Sequence, residues 1–235
     1  MINSVFLFTL ISMTVYFAFS FMGLTAVESI QNIENKNGSA SMGIFLDTET
    51  SGLDHNKHDV LEIGLKVVDM MNGNVLGSYE SIVSVSPEEW ECASKEALAV
   101  NGFKWEHVQK GKSRQEVSEE ITVLFGSLGI NRYNSCYICQ NPSFDRGFFT
   151  QLFSEDLQFQ KRWPYHWLDL ASMNWGLKMH QFANSEDKKM EPIGFSKDKI
   201  AAQHDLPPEE IPHRAMNGVE HLFKIYMHIV GFRKV

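Results

Sequence analysis

Apolar residues recur at every second position through Leu61, Ile63, Leu65 and Val67. That is the period of a strand with one face on a core, and it predicts a strand over residues 60–69. Asn72-Gly73 is a hairpin dipeptide that leads into a third strand over 75–85. Upstream, Gly43-Ile-Phe-Leu-Asp47 is a short apolar run ended by an acid, as a buried strand ends at a site, and Thr50-Ser-Gly-Leu-Asp54 supplies turn residues. Ser86-Pro87-Glu88-Glu89 opens a helix, with proline in the first turn and acids near the positive end of the dipole. Ser113 and Glu116 have capping-box spacing and start another helix, over 113–128. A short strand over 135–140 is followed by Pro142 and a helix through Phe148, Phe149 and Leu152. Further helices are predicted over 169–179, 197–204 and 215–230, with 184–191 a charged surface loop. Three hairpin-connected strands followed by a crossover region predict an α/β fold, a mixed β-sheet flanked by helices.

The N-terminal pattern differs. Residues 5–27 carry no charge and are long enough to cross a bilayer as a helix. Three readings compete for this apolar segment, taken as residues 1–30: a membrane anchor, a signal peptide cleaved near Ala18-Phe19-Ser20, or a mis-assigned start, since Met42 immediately precedes the first motif. No Lys or Arg precedes the apolar run, which disfavours the signal peptide. Residues 31–41 read as a flexible linker, and 42–235 as the folded domain.

Composition narrows the classes. With 235 residues, 43% hydrophobic and 21% charged, the chain is a folding globular one. A formal charge of −8 excludes a protein that coats nucleic acid by bulk positive charge, because that requires many Lys and Arg to displace counterions. It leaves room for an enzyme that meets nucleic acid at one small, metal-filled site. The cysteines, Cys92, Cys136 and Cys139, are few and odd in number, which favours a reducing compartment, the cytoplasm, with a membrane tether if the anchor reading holds. The C-x-x-C pair reads as two buried strand residues, for no second pair completes a zinc site.

Asp47-Thr-Glu49 sets two carboxylates on one face of a strand end. Two such charges repel, and a hard divalent cation, Mg²⁺ or Mn²⁺, is the natural remedy. Asp145 falls in the first turn of a helix after the 135–140 strand, and His213 just precedes the last helix. Each alone has an ordinary structural explanation.

Their order carries more. Phe45-Leu-Asp47-Thr-Glu49-Thr-Ser-Gly52-Leu53, then Asn141-x-x-Phe144-Asp145, then His213-Arg-Ala, resembles the three motifs of the DEDDh exonuclease family. That family includes the epsilon proofreading subunit of bacterial DNA polymerase III, RNase T and oligoribonuclease. Asp59-Val-Leu-Glu62-Ile63-Gly64 and Leu168-Asp169-Leu170 also look like the family. The resemblance implies an RNase H-like domain that removes nucleotides from 3′ ends of single-stranded DNA or RNA, with DNA slightly preferred, by two-metal hydrolysis. In that scheme Asp47 and Glu49 hold the metals, Asp145 supports the metals and the attacking water, and His213 is the general base. Thr48, Thr50, Gly52, Leu53, Asn141 and Phe144 would grip the terminal nucleotide. A DNA polymerase subunit is a further partner of the kind the family implies.

The match breaks at one position. The family's third motif is His, four residues, Asp, and here the last residue is Gly218. Glu220 lies about 200° away around a helix and is a poor substitute. One of the two metal sites is therefore expected to be weakened. The alternative reading is a pseudo-exonuclease that binds nucleic-acid ends or a polymerase without cutting. Gln140 stands where many members have His, and His55 and His58 read as solvated loop residues.

Overall fold

The computed structural model describes residues 41–186 and 192–232. The expectations for residues 1–30 and 31–40 and for the end of the 184–191 loop lie outside them. Strands β1 (Met42–Thr50), β2 (Val60–Asp69) and β3 (Val75–Ile82) form an antiparallel meander. Strands β4 (Ser135–Cys139) and β5 (Trp167–Asp169) add in parallel on the far side of β1, giving the order β3-β2-β1-β4-β5. The mixed sheet expected from the order of elements is what forms, with β1 at its centre.

Short helices α1 (Pro87–Glu91), α2 (Lys95–Asn101) and α3 (Trp105–Val108) follow the meander, and α4 (Arg114–Ser127) precedes β4. After β4 come α5 (Pro142–Leu152), α6 (Glu155–Gln160), then β5, α7 (Leu170–Ala183), α8 (Lys197–Ala202) and α9 (Ala215–Ile229). Ser86 and Ser113 both close the capping boxes that the sequence predicts. Strand β3 stops at Ile82, short of the predicted Val85, because Ser84 donates its N–H to Lys112 and the chain turns into α1. The three-residue β5 has no periodic signal; it is held by Tyr137, which pairs with Trp167 and stacks on its ring at 4.1 Å. Such a pair contributes about 0.5–1.5 kcal/mol beyond its buried area. Among the described residues no helix is long and apolar enough to cross a membrane.

Alternation along β1 divides the core in two. Ile44 and Leu46 face α4 and α5, joined there by Ile121, Phe125, Phe148 and Phe149. Phe45 faces α9, where its ring meets Phe223 at 5.1 Å and Tyr226 at 5.2 Å, both edge to face. Cys136 and Cys139 are both buried, one in each of these clusters, as strand residues three apart must be. Burial pushes the Cys136 thiol up to about 11, so it is an inert packing group.

Strand β2 sets the height of α9 through three residues on one face. Glu62 accepts a 2.7 Å hydrogen bond from the Ala215 N–H, capping a helix whose own N-cap, Arg214, offers no side-chain acceptor. Two residues on, Gly64 has no side chain, and a Cβ there would sit 2.7–2.8 Å from the backbone of Ala215 and Met216. Two further on, Lys66 pairs with Glu220, which explains why that acid is not available to the cleft. Gly64→Ala is expected to lower stability by about 1–3 kcal/mol, because the neighbour is backbone and cannot step aside. Denaturant unfolding checks this, and an unchanged midpoint would count against the contact.

Candidate active site

The first wall of the cleft is built from β1 and what is tied to it. Asp47 continues the Phe45 face of β1 and lies opposite Gly64 on β2. Glu49 follows on the same face at the strand end and is buried. Thr48 points the other way and gives Asp145 both its N–H (3.0 Å) and its hydroxyl (2.9 Å), which fixes α5 against β1. The loop after β1 is fastened on both sides. Ser51 and Asp59 exchange hydrogen bonds, and Gln151 on α5 donates to His55 O and His58 O while accepting from the Val60 N–H. Asn101 at the end of α2 donates to Thr50 O, and Arg214 stretches from the α9 end to Asn101 O at 2.5 Å across the Phe103 ring.

These elements surround a cleft of about 350 Å³, which Asp47, Thr48, Glu49, Thr50, Leu53, Phe144, Asp145 and His213 line. Gly52 and Asn141 do not line it. Gly52 packs on the His58 ring, where a Cβ would come within 2.3 Å. Asn141 is exposed, adopts a left-handed φ of 56°, and has its N–H held by Asp169, the N-cap of α7. Nor do His55 and His58 reach the cleft; His55 lies against Gly147 and Phe148, and His58 accepts from or donates to the backbone of Asp54. Gln140 does line it, with its amide nitrogen given to Phe195 O.

Two residues that sequence reasoning missed complete the other wall. Lys197, the first residue of α8, places its ammonium 3.1 Å from Asp47 Oδ1 and 2.7 Å from Glu209 Oε2, with only 13% of its side chain exposed. Glu209, from the loop before α9, is buried, and its Oε1 has no hydrogen-bond partner among the described residues. His213 Nδ1 is 4.0 Å from that oxygen, and His221 Nδ1 is 3.9 Å from Oε2. The loop is set by the Glu209 N–H, which donates to Asp198 at 2.9 Å. Neither residue carries a sequence signal: Glu209 sits among prolines and acids that read as a solvated turn. Gly218 faces this wall, and a Cβ on it would fall 2.0 Å from Asp47 Oδ2 and 3.0 Å from the Lys197 ammonium.

Among the described residues, the cleft carboxylates outnumber the ammonium of Lys197 that meets them. Burial, then the charge of Asp47, pushes Glu49 up to about 8. Burial and the neighbouring Asp47 likewise hold Asp145 well above the ordinary range, despite the two bonds from Thr48. Asp47 is raised by burial more than Lys197 can lower it. Glu209 goes the other way. Burial opposes its charge, but His221, Lys197 and His213 prevail and hold it down to about 2. Glu49, Glu209 and His213 bring potential ligand atoms within 4.8 Å of one another. An oxygen-rich donor set with surplus negative charge and an unsatisfied carboxylate oxygen fits a hard divalent cation.

No family model matches the chain. It is 25% identical over 193 residues to a protein named Ribonuclease T from Shewanella denitrificans, spanning 80% of each. Its fold is similar to that of cell-death related nuclease 4 (TM-score 0.61, 14% identity, 81% of this chain and 64% of the other). It is similar also to E. coli Exonuclease I in complex with a dT13 oligonucleotide (TM-score 0.62, 15% identity), where it covers 80% of its own length but only 41% of that chain. The chain thus spans less than two thirds of these solved structures. Similarity to a protein named Ribonuclease T, and a fold shared with solved nuclease structures, agree with the exonuclease motifs that the sequence resembles.

The raised Glu49 carboxyl has a measurable consequence in metal-free protein. Its folded-state value of about 8 lies above the ordinary 4.5, so its contribution to stability is complete below pH 4.5 and is lost as pH rises through 8. In chelator, the unfolding midpoint should fall between pH 5 and pH 8, and Glu49→Gln should flatten that slope. An equal slope in the variant would remove Glu49 as the cause.

Proposed function

We propose that this chain is a metal-dependent 3′–5′ exonuclease that hydrolyses nucleotides from the 3′ ends of single-stranded nucleic acid. The observation that carries the reading is the convergence of Asp47, Glu49, Asp145 and His213 on one cleft from three separate stretches of sequence. Sequence similarity to a protein named Ribonuclease T supports an RNA end as substrate; the fold of an exonuclease that holds dT13 supports a DNA end. The slight DNA preference expected above turns on contacts to a 2′-hydroxyl, so both sugars belong in the test.

Asp47, Glu49, Asp145 and Glu209 are the residues that would hold the divalent ion, Mg²⁺ or Mn²⁺. When bound, such an ion polarises a phosphoryl oxygen and makes a water more acidic. The chain's own residues supply the rest. His213, about one third exposed at the cleft wall, takes the proton from the attacking water, with Glu209 Oε1 4.0 Å from its Nδ1. Thr48 holds the Asp145 carboxylate in place with two donors, so its N–H is committed and does not reach substrate. Leu53, 83% exposed, with Val100 and Phe144, offers an apolar surface on which a terminal base can lie without regard to its identity.

A second reading, binding without cleavage, is favoured by one observation: Lys197 and Gly218 occupy the side of Asp47 where the family's last carboxylate would act. The full chain should be tested on 5′-labelled single-stranded DNA and RNA oligonucleotides with Mg²⁺ or Mn²⁺. We expect progressive shortening from the 3′ end, abolished in Asp47→Ala and slowed about 100-fold or more in His213→Ala. An inert wild type that still retains 3′ ends would overturn the exonuclease and leave the binding protein.

A further inference from the structure

Gly218 is a change of construction. A Cβ at 218 would lie 2.0 Å from Asp47 Oδ2, so no side chain of any kind fits while Asp47 stands where it does. The volume that an acid would use there is taken from the opposite direction. Lys197 reaches in from α8, and its ammonium lies 3.1 Å from Asp47 Oδ1, 2.7 Å from Glu209 Oε2 and 3.5 Å from Gly218 O. One oxygen of Asp47 is thereby paired with the ammonium, and the other stands against Gly218 with no room for a side chain between them.

Glu209 supplies an acid on this wall. It is buried, and one oxygen is engaged by Lys197, while the other, Oε1, is buried without a hydrogen-bond partner among the described residues. Glu209 also belongs to the group, with Glu49 and His213, whose ligand atoms lie within 4.8 Å of one another. An unpartnered carboxylate oxygen in such a place is costly unless something positive meets it.

We propose that Lys197 is a resident cation standing beside Asp47 in place of a second metal, and that Glu209 replaces the carboxylate absent at Gly218, so that the cleft takes one divalent ion on its Glu49–Glu209 side, next to His213. Asp47, with one oxygen taken by the ammonium, does not bridge a pair of ions. A lysine can do this because its ammonium is a compact point charge with three donors, and three acceptors meet it here, Asp47 Oδ1, Glu209 Oε2 and Gly218 O. The proposal rests on the metal-dependent reading above, but concerns the number and place of the ions.

The test is Mn²⁺ titration of the full chain, counted by calorimetry and by the loss of the free-ion signal in electron paramagnetic resonance. Wild type should bind one Mn²⁺ per chain. Lys197→Met, which keeps the stem and removes the charge, should bind two; Glu209→Gln should weaken the single ion about tenfold or more. Two ions in wild type would overturn the resident cation, and so would one ion or none in a folded Lys197→Met. An unchanged affinity in Glu209→Gln would overturn the replacement ligand. Should Lys197→Met not fold, the wild-type count decides alone, because two ions leave no place for the ammonium. Shortening of oligonucleotides by a two-ion wild type would sink this inference and spare the exonuclease reading. One bound ion without shortening would do the reverse.

Discussion

Helix α9 lies on strands β1 and β2 at a distance that only glycines permit. Gly64 lets the first turn of the helix come down to the strand backbone, and Gly218, one turn later, lets Asp47 stand against the helix. Glu62 holds the helix start by its free Ala215 N–H, and Lys66 holds Glu220 farther along. The position of His213, immediately before this helix, follows from the same seating. So does the lack of room at 218, and with it the need to bring a charge to Asp47 from some other element.

Electrostatically the cleft is a balance that the protein chain does not complete. Burial raises Asp47, Glu49 and Asp145 together, and the charge of Asp47 worsens the other two, while the Lys197 ammonium and, at Asp145, two Thr48 donors work against it. The structure keeps these acids close because the strand face and the first turn of α5 leave them no alternative. Such an arrangement is unfavourable for folding and useful for holding a cation, a familiar division between stability and function.

Much of this was legible in the residues. The period of two in β2, the hairpin dipeptide and the serine caps of α1 and α4 are local rules, and local rules survive folding. The motif acids were legible because an acid that ends an apolar strand is out of place. Strand β5 and helices α2, α3 and α6 were not: they are too short to show a period and exist because Tyr137, Asn101 and their neighbours give them partners. Lys197 and Glu209 were hidden for a different reason. One opens a short helix and the other sits in a proline-flanked turn, both ordinary places for a solvated charge, and only the tertiary fold brings them together over Gly218.

The amide of Gln151 has a consequence for how the cleft can adapt. It grips the loop after β1 at three backbone points, and that loop is also tied to Asp59 and, through Ser51 O, to the start of α2. Leu53, α2 and the Asp145 helix therefore travel as one body, joined by uncharged groups. The facing side, with Lys197 and Glu209, is joined to Asp47 by ion pairs. One jaw of the cleft is thus fastened mainly by uncharged groups, while the other is held to Asp47 through an ammonium, and a phosphate or a cation entering the cleft competes with those ion pairs.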